Sequence, residues 1–271
     1  MQNDYRVILL TGRKLRGYVF ESLRKICECD KVRVVAVFVN ARHESLAAKF
    51  VGLARRKGLS TALTIAFDYV VEWLTDKERK AQFFAEELTK YCGARLHYVE
   101  DLYDEGTISL LSSYEPELGF HWGFGWIKEP ILSLPRNGVI GYHYGDLTAY
   151  RGGPPYFWEL YNGEKRVGVT VQKLAPRLDA GDIIMQRFFD IKETDTLRSL
   201  RHRIASETVN MGLESVLLMK KPSFVPAKPS SIGKFYSFPN LGQWIRFQLI
   251  MTKRVLLGLV KGTKGQKAGA S

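Results

Sequence analysis

The feature that most constrains the fold is the opening of the chain, where two short apolar segments flank a helix-like segment. Residues 6–11 form a compact apolar run that ends at Gly12, and residues 32–39 form a second run rich in valine. Between them, apolar side chains recur at helical spacing, at Val19, Leu23 and Ile26. This strand–helix–strand order is typical of a parallel sheet covered by helices. The sequence therefore predicts an α/β fold with a mostly parallel, Rossmann-like sheet and helices on both faces.

The remaining elements are predicted from apolar runs and turn residues. Helices are expected over residues 45–56, 61–74, 76–92, 107–113, 197–202 and 204–219, and strands over 96–99, 118–122, 138–140, 166–171 and 182–185. Residues 1–221 are predicted to form one domain, and residues 222–240, interrupted by prolines, an irregular linker. Residues 241–271 are predicted to form a C-terminal helical extension, with a basic amphipathic helix over 241–260 and a disordered polar tail over 261–271.

Composition narrows the partners and the compartment. The 271 residues are 45% hydrophobic, which is enough for one well-packed core. The net charge of +12 attracts polyanions such as nucleic acid, acidic lipid surfaces, or phosphorylated and nucleotide-linked small molecules. Residues 1–4 lead directly into the first strand, so no signal peptide is expected, and no apolar run has the roughly 20 residues that a membrane span needs. A cytoplasmic protein is predicted.

The three cysteines do not indicate a disulfide framework or a metal site. Cys27 and Cys29 lack the spacing of a zinc knuckle, and Cys92 stands alone. No set of His, Cys and carboxylate residues shows metal-ligand spacing. We therefore expect ordinary thiols in a reducing compartment and no metal.

The turn after the first strand is not a phosphate-binding motif. Residues 11–17 lack the glycine pattern of a dinucleotide loop and the Lys-Ser/Thr pair of a Walker motif. An ordinary strand-to-helix turn explains Gly12. The basic side chains that follow, Arg13 among them, can still help to hold an anionic substrate.

The segment that carries chemistry is residues 140–184. His143 stands just beyond a predicted strand, where a parallel sheet presents its functional groups. A Tyr-Arg-Gly-Gly-Pro loop follows at residues 150–154, and Asp179 lies in a later loop between two strand-like runs. An aspartate in that place can hold the charged form of the imidazole and tune its pKa.

This segment resembles the formyltransferase superfamily that uses 10-formyltetrahydrofolate. Family members carry a stretch of the type Ile-Asn-x-His-x-Ser-Leu-Leu-Pro-x-Tyr-Arg-Gly, then Gly-x-Thr and Leu-Asp-x-Gly-x-Ile. The matching positions here are His143, Tyr150, Arg151, Gly152, Gly168, Thr170, Leu178, Asp179, Gly181 and Ile183. Upstream, residues 115–127 resemble the strand that leads into the folate-contacting loop. The clear resemblance covers about residues 118–191, and its Tyr-Arg-Gly form looks more like the tRNA and sugar enzymes than the purine enzyme.

The resemblance implies roles for individual residues. His143 and Asp179 are expected to be catalytic, and the formyl donor 10-formyltetrahydrofolate is expected to be bound by Gly125, Trp126, Ile127 and Asp179. The acceptor substrate is expected to contact Tyr150, Arg151, Gly152 and Arg13. In the family mechanism an amine attacks the formyl carbon while Asn and His steady the developing oxyanion and Asp holds the His.

The pattern departs from the family at one catalytic position. Gly141 stands where the family has its catalytic Asn. Removing one oxyanion donor typically costs about 10²–10³ in rate. Two hypotheses follow. The chain still moves a formyl group, with His143 and Asp179 sufficient or assisted by another hydrogen-bond donor, or it uses a different donor substrate or only binds its ligand. Asn137 is the nearest asparagine, four residues earlier.

The acceptor is predicted to be an amino sugar carried on a nucleotide or a phosphate-bearing lipid. Only about 45 residues follow Pro226, too few for the C-terminal barrel with which tRNA enzymes hold their substrate, so tRNA is disfavoured. The basic amphipathic helix suits contact with an anionic membrane at its inner surface, packing back on the domain, or a homodimer interface. Nucleic-acid binding through the positive field is a further alternative, without a recognition motif.

Three other groups have two interpretations each. His121 can point into the site or be a satisfied buried histidine. Trp126 and Ile127 can stack on a pterin or simply pack. The aromatic run Tyr156, Phe157 and Trp158 can form a base-stacking platform, but its helical setting favours core packing.

Overall fold

The computed structural model describes residues 5–42, 46–75 and 82–268. Its strands are β1 Arg6–Gly12, β2 Lys14–Arg16, β3 Arg33–Asn40, β4 Gln82–Phe84, β5 Arg95–Val99, β6 Leu118–Trp122, β7 Val139–His143, β8 Tyr150–Gly152, β9 Arg166–Lys173, β10 Asp182–Asp190 and β11 Lys234–Tyr236. Its α-helices are α1 Gly17–Cys27, α2 Leu46–Lys57, α3 Leu59–Thr75, α4 Thr89–Cys92, α5 Glu105–Ser113, α6 Phe157–Asn162, α7 Leu197–Glu207, α8 Met211–Met219 and α9 Leu241–Ala268, and Ala85–Leu88 is a 3₁₀ helix.

A seven-stranded sheet in the order β10-β9-β7-β6-β1-β3-β5 forms the centre of the fold. The pairs from β5 through to β7 are parallel, and β9 and β10 add two antiparallel strands at one edge. This arrangement confirms the predicted mostly parallel α/β sheet.

The core lies on both faces of the sheet. Alternate residues of β1 point to opposite sides: Val7 and Leu9 belong to one buried cluster, and Ile8 and Leu10 belong to the other. Helix α1 covers the first face with Val19, Leu23 and Ile26, which confirms the helical spacing read from the sequence. Strands buried on both faces read as continuous apolar runs, which explains why the opening runs were visible in the sequence.

The strand order places a crevice at the carboxyl ends of β1 and β6. The chain builds outward from β1 through β3 to β5, then returns to the other side of β1 with β6. Ligands of open α/β sheets bind at such a switch point. The two loops approach closely there, since a Cβ on Gly12 would lie 3.2 Å from the carbonyl oxygen of Gly123.

The prediction of one helix over residues 76–92 is wrong at its described start, where residues 82–84 form β4, while residues 85–92 are helical, as a 3₁₀ helix followed by α4. Residues 76–81 lie outside the described ranges. The next residues form β4, which pairs antiparallel with β2, the short strand just after the turn at Gly12. Phe83 stacks on Phe20 of α1 at a ring distance of 4.5 Å. This long-range packing, which local periodicity does not report, selects the strand.

Two further boundaries differ from the prediction. The helix expected over 204–219 is interrupted after α7, where the buried Thr208 hydroxyl donates to the carbonyl of Ile204 at 2.7 Å. Such back-bonding by Thr competes with regular helix geometry. The tail predicted to be disordered is helical as far as Ala268, because extending an existing helix is easier than starting one. Residues 269–271 lie outside the described ranges.

The segment predicted as an irregular linker contributes to the fold. Within it, β11 pairs parallel with β8, so that Lys234 lies beside Tyr150 and Tyr236 beside Gly152. Ala227 also exchanges backbone hydrogen bonds with Ile183 of β10, at 2.7 and 2.8 Å. The linker therefore runs along the loop that the sequence assigned to substrate binding.

Candidate active site

His143 ends β7 and is held by both of its ring nitrogens. Its side chain is 7% exposed, and Nδ1 lies 3.4 Å from Oδ1 of Asp179. Nε2 lies 2.7 Å from the carbonyl oxygen of Tyr150. Both partners are acceptors, so the doubly protonated imidazolium satisfies both contacts at once. The structure thus brings together the two residues that the sequence paired.

The pair shifts both pKa values in favour of a charged couple. Burial lowers the pKa of His143, but the hydrogen bond and charge of Asp179 and the Tyr150 carbonyl outweigh it, so the pKa is raised above its usual 6.5. Burial raises the pKa of Asp179, but the contact with His143 and the Gly152 and Gln172 hydrogen bonds leave it lowered below 3.8. Both shifts act in the same direction and favour the imidazolium–carboxylate pair over the neutral pair.

Asp179 is fixed by a local network. Its backbone is left-handed, with φ at 49°. Oδ2 accepts the Gly152 N–H at 3.0 Å, and Oδ1 accepts the Gln172 amide at 3.2 Å. Gly152 itself has φ at 83°, and a Cβ there would overlap the carbonyl oxygen of Tyr236 in β11. This glycine is therefore required by conformation and by close approach.

Arg151, predicted to contact substrate, is 3% exposed. Its Nε donates to the carbonyl of Asp179 at 2.6 Å, and its guanidinium also donates to the carbonyls of Leu178 and Gly233. Burial and Arg177 lower the pKa of Arg151. In this position Arg151 ties the Asp179 loop to the linker.

Tyr150 is half-buried beside Arg151. Its hydroxyl donates to Glu164 at 2.7 Å and accepts from Asn162 at 3.0 Å, while its ring stacks on Tyr236 at 5.1 Å. Burial raises its pKa. Tyr150 thus joins β8, α6 and the linker at the rim of a small cavity that also contains His143.

The sequence analysis missed two residues at this site. The side chain of Gln172 accepts from the amide N–H of Gly181 and donates to the carboxylate of Asp179. Its part in the site becomes visible only in the structure, where it is the register partner of Gly141 across the sheet. Glu159 is 3% exposed in the cavity that His143 lines. Burial raises the pKa of Glu159 to about 7, against the influence of its own backbone and of His143. The one hint in the sequence was a glutamate directly after the aromatic run of residues 156–158.

A basic cavity adjoins the His143 cavity. It holds about 230 Å³, and it shares Tyr144, Pro155 and Tyr156 with its neighbour. The remaining residues that line it include four basic side chains, which are Arg16, Arg198, Arg201 and His202. The hydroxyls of Tyr144 and Tyr156 are buried without a partner among the described residues. Polar groups that need partners and a cationic rim suit an anionic, hydroxylated ligand.

The predicted donor-binding residues lie around a different cavity. Gly125 and Trp126 line a space of about 470 Å³ at the carboxyl ends of β3, β5 and β6, together with residues such as Asn40, Arg42 and Tyr103. Trp126 is 54% exposed, which leaves its indole face available, whereas Ile127 is 3% exposed and packs in the core. Asp179 does not line this cavity. Ile127 therefore packs in the core, whereas the exposed Trp126 is still able to stack on a pterin.

Arg13 is placed away from His143. Its side chain is 61% exposed and lies 3.8 Å from Glu86 and 5.9 Å from the centre of the Tyr98 ring. The aromatic run Tyr156, Phe157 and Trp158 is buried at 1%, 3% and 8% exposure, as core packing requires. Within the described part of the chain, no three His, Cys, Asp or Glu side chains converge to hold a metal ion, and no helix has the length and apolarity to cross a bilayer.

Comparison with known proteins identifies the family. The family model for formyl transferases matches residues 100–216. A methionyl-tRNA formyltransferase from Thermodesulfovibrio yellowstonii is 31% identical over 192 residues, which cover 69% of this chain and 62% of that protein. The chain thus spans less than two thirds of this relative.

Solved structures share the fold. A glycinamide ribonucleotide transformylase from Symbiobacterium toebii matches 83% of this chain and 95% of its own, with a TM-score of 0.56 and 18% identity. An N-formyltransferase from Helicobacter canadensis, solved with folinic acid and dTDP-3-aminofucose, matches 92% of this chain and 80% of its own, with a TM-score of 0.55 and 16% identity. Residues 100–216 of this chain thus carry a formyl transferase domain.

Proposed function

We propose that this protein transfers a formyl group from 10-formyltetrahydrofolate to the amine of an anionic amino sugar. The observation that carries the proposal is the buried His143–Asp179 pair, held at 3.4 Å at the carboxyl end of β7, where His143 lines a small cavity that adjoins the basic cavity. The formyl transferase domain over residues 100–216 supports the reaction.

The chain's own residues prepare the site for developing negative charge. When bound, 10-formyltetrahydrofolate supplies an activated formyl group. Asp179 and the Tyr150 carbonyl hold His143 as a cation. A fixed positive charge in a site of low water content stabilises an oxyanion without reorganisation. His143 therefore acts through its charge and position.

The donor is assigned to the cavity beside Trp126. The exposed indole offers a face for a flat ring system, and Lys128 lies 4.8 Å from the centre of that ring. Arg42 adds a second cation at the rim, suited to the carboxylates of a folate tail. The folinic acid bound by the Helicobacter canadensis protein supports the same donor class.

The acceptor is assigned to the basic cavity. Its three arginines favour a phosphate or diphosphate, and the two unpartnered tyrosine hydroxyls favour a hydroxylated ligand. The amino-sugar nucleotide bound by the Helicobacter canadensis protein has this chemistry. The matched relatives include methionyl-tRNA formyltransferases, so tRNA belongs among the acceptors to be tested.

Formyl transfer by the purified protein tests the proposal. The protein is incubated with 10-formyltetrahydrofolate and either amino-sugar nucleotides or initiator methionyl-tRNA, and the formylated product is measured by mass spectrometry. A formylated sugar that depends on the donor supports the proposal. If the tRNA is formylated and the sugars are not, the amino-sugar acceptor is rejected, whereas formyl transfer itself is supported.

The alternative function is binding without transfer, or use of another donor. The specific observation that favours it is the glycine at position 141 together with the full occupation of both His143 nitrogens. Calorimetric titration with 5-formyltetrahydrofolate separates the two. Micromolar binding without turnover of any acceptor would favour a binding role, and no binding to a folded protein would favour a different donor.

We further propose that the protein contacts an anionic membrane surface through α9 and α3. The apolar side chains exposed on α9 include Leu249, Leu256 and Leu259, at 68%, 57% and 63% exposure. Helix α3 adds Leu63 and Phe67, at 54% and 55%. The basic Arg246 and Lys253 stand among them on α9, and the protein carries a net charge of +12. Exposed leucines and basic residues on one helix suit the interface of an acidic bilayer.

A further inference from the structure

Two arginines of α7 line the basic cavity and a second cavity beside it. Arg198 and Arg201 face the basic cavity of about 230 Å³ and also a space of about 410 Å³ among α3, α6, α7 and α9. The Arg201 guanidinium donates to the carbonyl of Pro155 at 3.3 Å, and Pro155 also lines the small cavity that contains His143. The arginine pair therefore connects the reacting end of the site with the second cavity.

The wall of the second cavity, the apolar cavity, is formed mostly by aromatic and aliphatic side chains. Phe157 of α6 and Trp244 and Met251 of α9 are among them. Of the described residues that line it, only Arg198 and Arg201 are charged. Arginine is well suited to bind phosphate oxygens. A pair of cations at the border of an apolar space fits an amphiphile in which a phosphate precedes an apolar chain.

The apolar cavity continues into an open groove on the surface between α3 and α9. The groove holds about 680 Å³ and shares Thr64 of α3 and Trp244 of α9 with the apolar cavity. Apart from Ser60 and Thr64, its described lining is aliphatic or aromatic, and Leu63 and Val70 are 54% and 51% exposed. Contiguous exposed apolar surface on a protein of net charge +12 indicates a binding surface.

The basic cavity is too small to enclose a sugar together with a long carrier. Pockets that enclose a drug-sized ligand hold roughly 300–1,000 Å³, whereas this cavity holds about 230 Å³. A carrier phosphate at the two arginines directs the rest of the carrier into the apolar cavity. A nucleoside there needs placed polar groups for its base and ribose, and the groove beyond offers only two hydroxyl side chains. An apolar chain matches both spaces.

We propose that the acceptor is an amino sugar carried on a lipid phosphate, with its amine at His143, its phosphate at Arg198 and Arg201, and its hydrocarbon chain along the apolar cavity and the groove. This inference rests on the proposed function and names the carrier of the sugar. The groove lies between α3 and α9, the helices proposed to contact an anionic membrane, so the chain can enter the site from the bilayer.

The reaction leaves the lipid carrier unchanged. A bond forms between the amine nitrogen of the sugar and the formyl carbon, and the bond from the formyl carbon to the folate nitrogen breaks. One proton passes from the amine to that nitrogen. The phosphate and the hydrocarbon chain only hold the acceptor in place, so their binding can be measured without turnover.

Binding of farnesyl diphosphate tests the path of the chain. Calorimetric titration of the full chain, below the micellar concentration of the lipid, compares it with geranyl, inorganic and uridine diphosphate. We expect farnesyl diphosphate to bind about 10²-fold more tightly than inorganic diphosphate and about 10-fold more tightly than geranyl diphosphate, because more of its chain leaves water. Uridine diphosphate that binds as tightly as farnesyl diphosphate would overturn the inference and assign the carrier to a nucleotide.

Paired substitutions at exposed positions test the groove. Leu63→Ser with Val70→Ser should weaken farnesyl diphosphate binding about 10-fold and leave inorganic diphosphate binding unchanged. Val51→Ser with Val225→Ser is the matched control, since these side chains are 45% and 80% exposed and line neither cavity nor the groove. Equal losses in the two pairs would overturn the inference. Unchanged affinity together with dissociation of a dimer would overturn it as well and assign the groove to a second copy of the chain.

Substitution of Arg198 tests the position of the phosphate. Arg198 is exposed, so Arg198→Gln removes a charge without disturbing the core. The affinities for farnesyl diphosphate and for inorganic diphosphate should both fall about 10-fold. Arg136→Gln, at a side chain that is 79% exposed and lines neither cavity, is the control. An equal loss in Arg136→Gln would show that diffuse positive charge binds the diphosphate and would overturn the assignment.

Formyl transfer to two matched acceptors separates this inference from the proposed function. The amino sugar of the Helicobacter canadensis complex, 3-aminofucose, is offered on farnesyl diphosphate and on dTDP. A higher kcat/KM for the farnesyl-linked sugar, lost in Leu63→Ser with Val70→Ser, supports the inference. A higher kcat/KM for the dTDP-linked sugar overturns it and keeps the proposed function. Tight binding of farnesyl diphosphate by a wild-type protein that formylates no acceptor would reject the proposed function and retain the lipid site.

Discussion

Asp179 occupies a left-handed backbone conformation, at φ 49°, that non-glycine residues adopt at some cost. Three polar contacts hold it there: the His143 imidazole, the Gly152 N–H and the Gln172 amide. Aspartate tolerates this conformation better than most residues. The geometry of the site therefore depends on a small number of polar contacts that surround one strained residue.

The His143–Asp179 pair should stabilise the protein in a defined pH range. The pKa of Asp179 is lowered, so its contribution is present above about 3.8 and is lost as the pH falls below it. The pKa of His143 is raised, so its contribution is full below 6.5 and is lost as the pH rises through the higher folded value. Asp179→Asn should therefore lower the free energy of unfolding by about 2 kcal/mol near pH 5.5, and by less at pH 9.

Urea unfolding at several pH values measures this dependence. The control is Asp190→Asn, at an exposed position at the end of β10. NMR titration should also show a lower pKa for His143 in Asp179→Asn. A pH-independent loss of stability would mean that Asp179 acts through shape and not through charge.

Glu159 should make stability fall as the pH rises. Its folded pKa of about 7 lies above the usual 4.5, so the folded protein binds its proton more tightly than the unfolded chain. The resulting stabilisation is full below 4.5 and is lost as the pH approaches 7. Glu159→Gln removes this dependence, and the difference between wild type and variant should change by on the order of 3 kcal/mol between pH 4.5 and 8.

Thermal or urea unfolding across that pH range provides the measurement. Glu207→Gln, which alters an exposed carboxylate 3.7 Å from Arg203, is the control and should show little change. Parallel pH curves for wild type and Glu159→Gln would contradict a raised pKa at this position.

At the scale of elements, the linker strand β11 and the loop strand β8 depend on each other. Arg151 donates to carbonyls of the Asp179 loop and to Gly233 just before β11. Trp158 of α6 donates to the carbonyl of Ser237 at 2.9 Å, just after β11. These contacts place the linker under the site, although its proline content indicates only irregular structure.

Removing Arg151 should loosen this arrangement. Arg151→Met leaves three backbone carbonyls without their donor in a buried place, so we expect a loss of about 3 kcal/mol in the free energy of unfolding. Limited proteolysis should also cut within residues 222–240 faster than in wild type. Arg166→Met, which removes an exposed arginine 4.1 Å from the Phe188 ring, should cost less than about 1 kcal/mol. Unchanged proteolysis of Arg151→Met would show that Arg151 does not tether the linker.

At the scale of the whole molecule, α9 is both a core element and an exposed surface. Phe247 is 2% exposed and lies 4.1 Å from Phe157 of α6, and Met251 is buried beside it. Trp244 meets Phe67 of α3 at 5.5 Å. Packing of the helix on the domain, one of the alternatives from the sequence, is thus present at Phe247 and Met251, while Leu249, Leu256 and Leu259 of the same helix are exposed.

The buried half of α9 should contribute measurably to stability. Phe247→Ala should cost about 3–5 kcal/mol, as large-to-small changes in a core do. Leu249→Ala, at a side chain that is 68% exposed on the same helix, should change stability by less than about 0.5 kcal/mol. Chemical unfolding compares them, and equal costs would contradict the packing of this helix against α6.

The exposed leucines of α9 should decide membrane binding. Sedimentation with vesicles that contain anionic lipid should retain the protein at low salt and release it as salt rises, since Lys and Arg near the surface act within a Debye length. Changing Leu249, Leu256 and Leu259 to Ser should abolish retention. Binding to neutral vesicles but not to anionic ones would contradict the proposed role of the basic residues. If the protein instead forms a concentration-dependent dimer that the same substitutions dissociate, the exposed surface of α9 is a homodimer interface.

The sequence by itself determined the sheet, the pairing of His143 with Asp179 and the family resemblance. Buried parallel strands need continuous apolar runs, and His143 and Asp179 stand in motifs whose glycines are set by local backbone geometry. Such signals are contained in short segments and can be read without the fold.

Only the tertiary structure decided how distant segments complete the site. Strand β4 replaces a predicted helix because Phe83 packs on Phe20, and Arg151 is a tether because Gly233 comes to lie beside it. Gly141 lies between His121 and Gln172 because these three residues are register partners on adjacent strands. Contacts between residues far apart in sequence leave no local periodicity, so their consequences became visible only when the sheet brought those residues together.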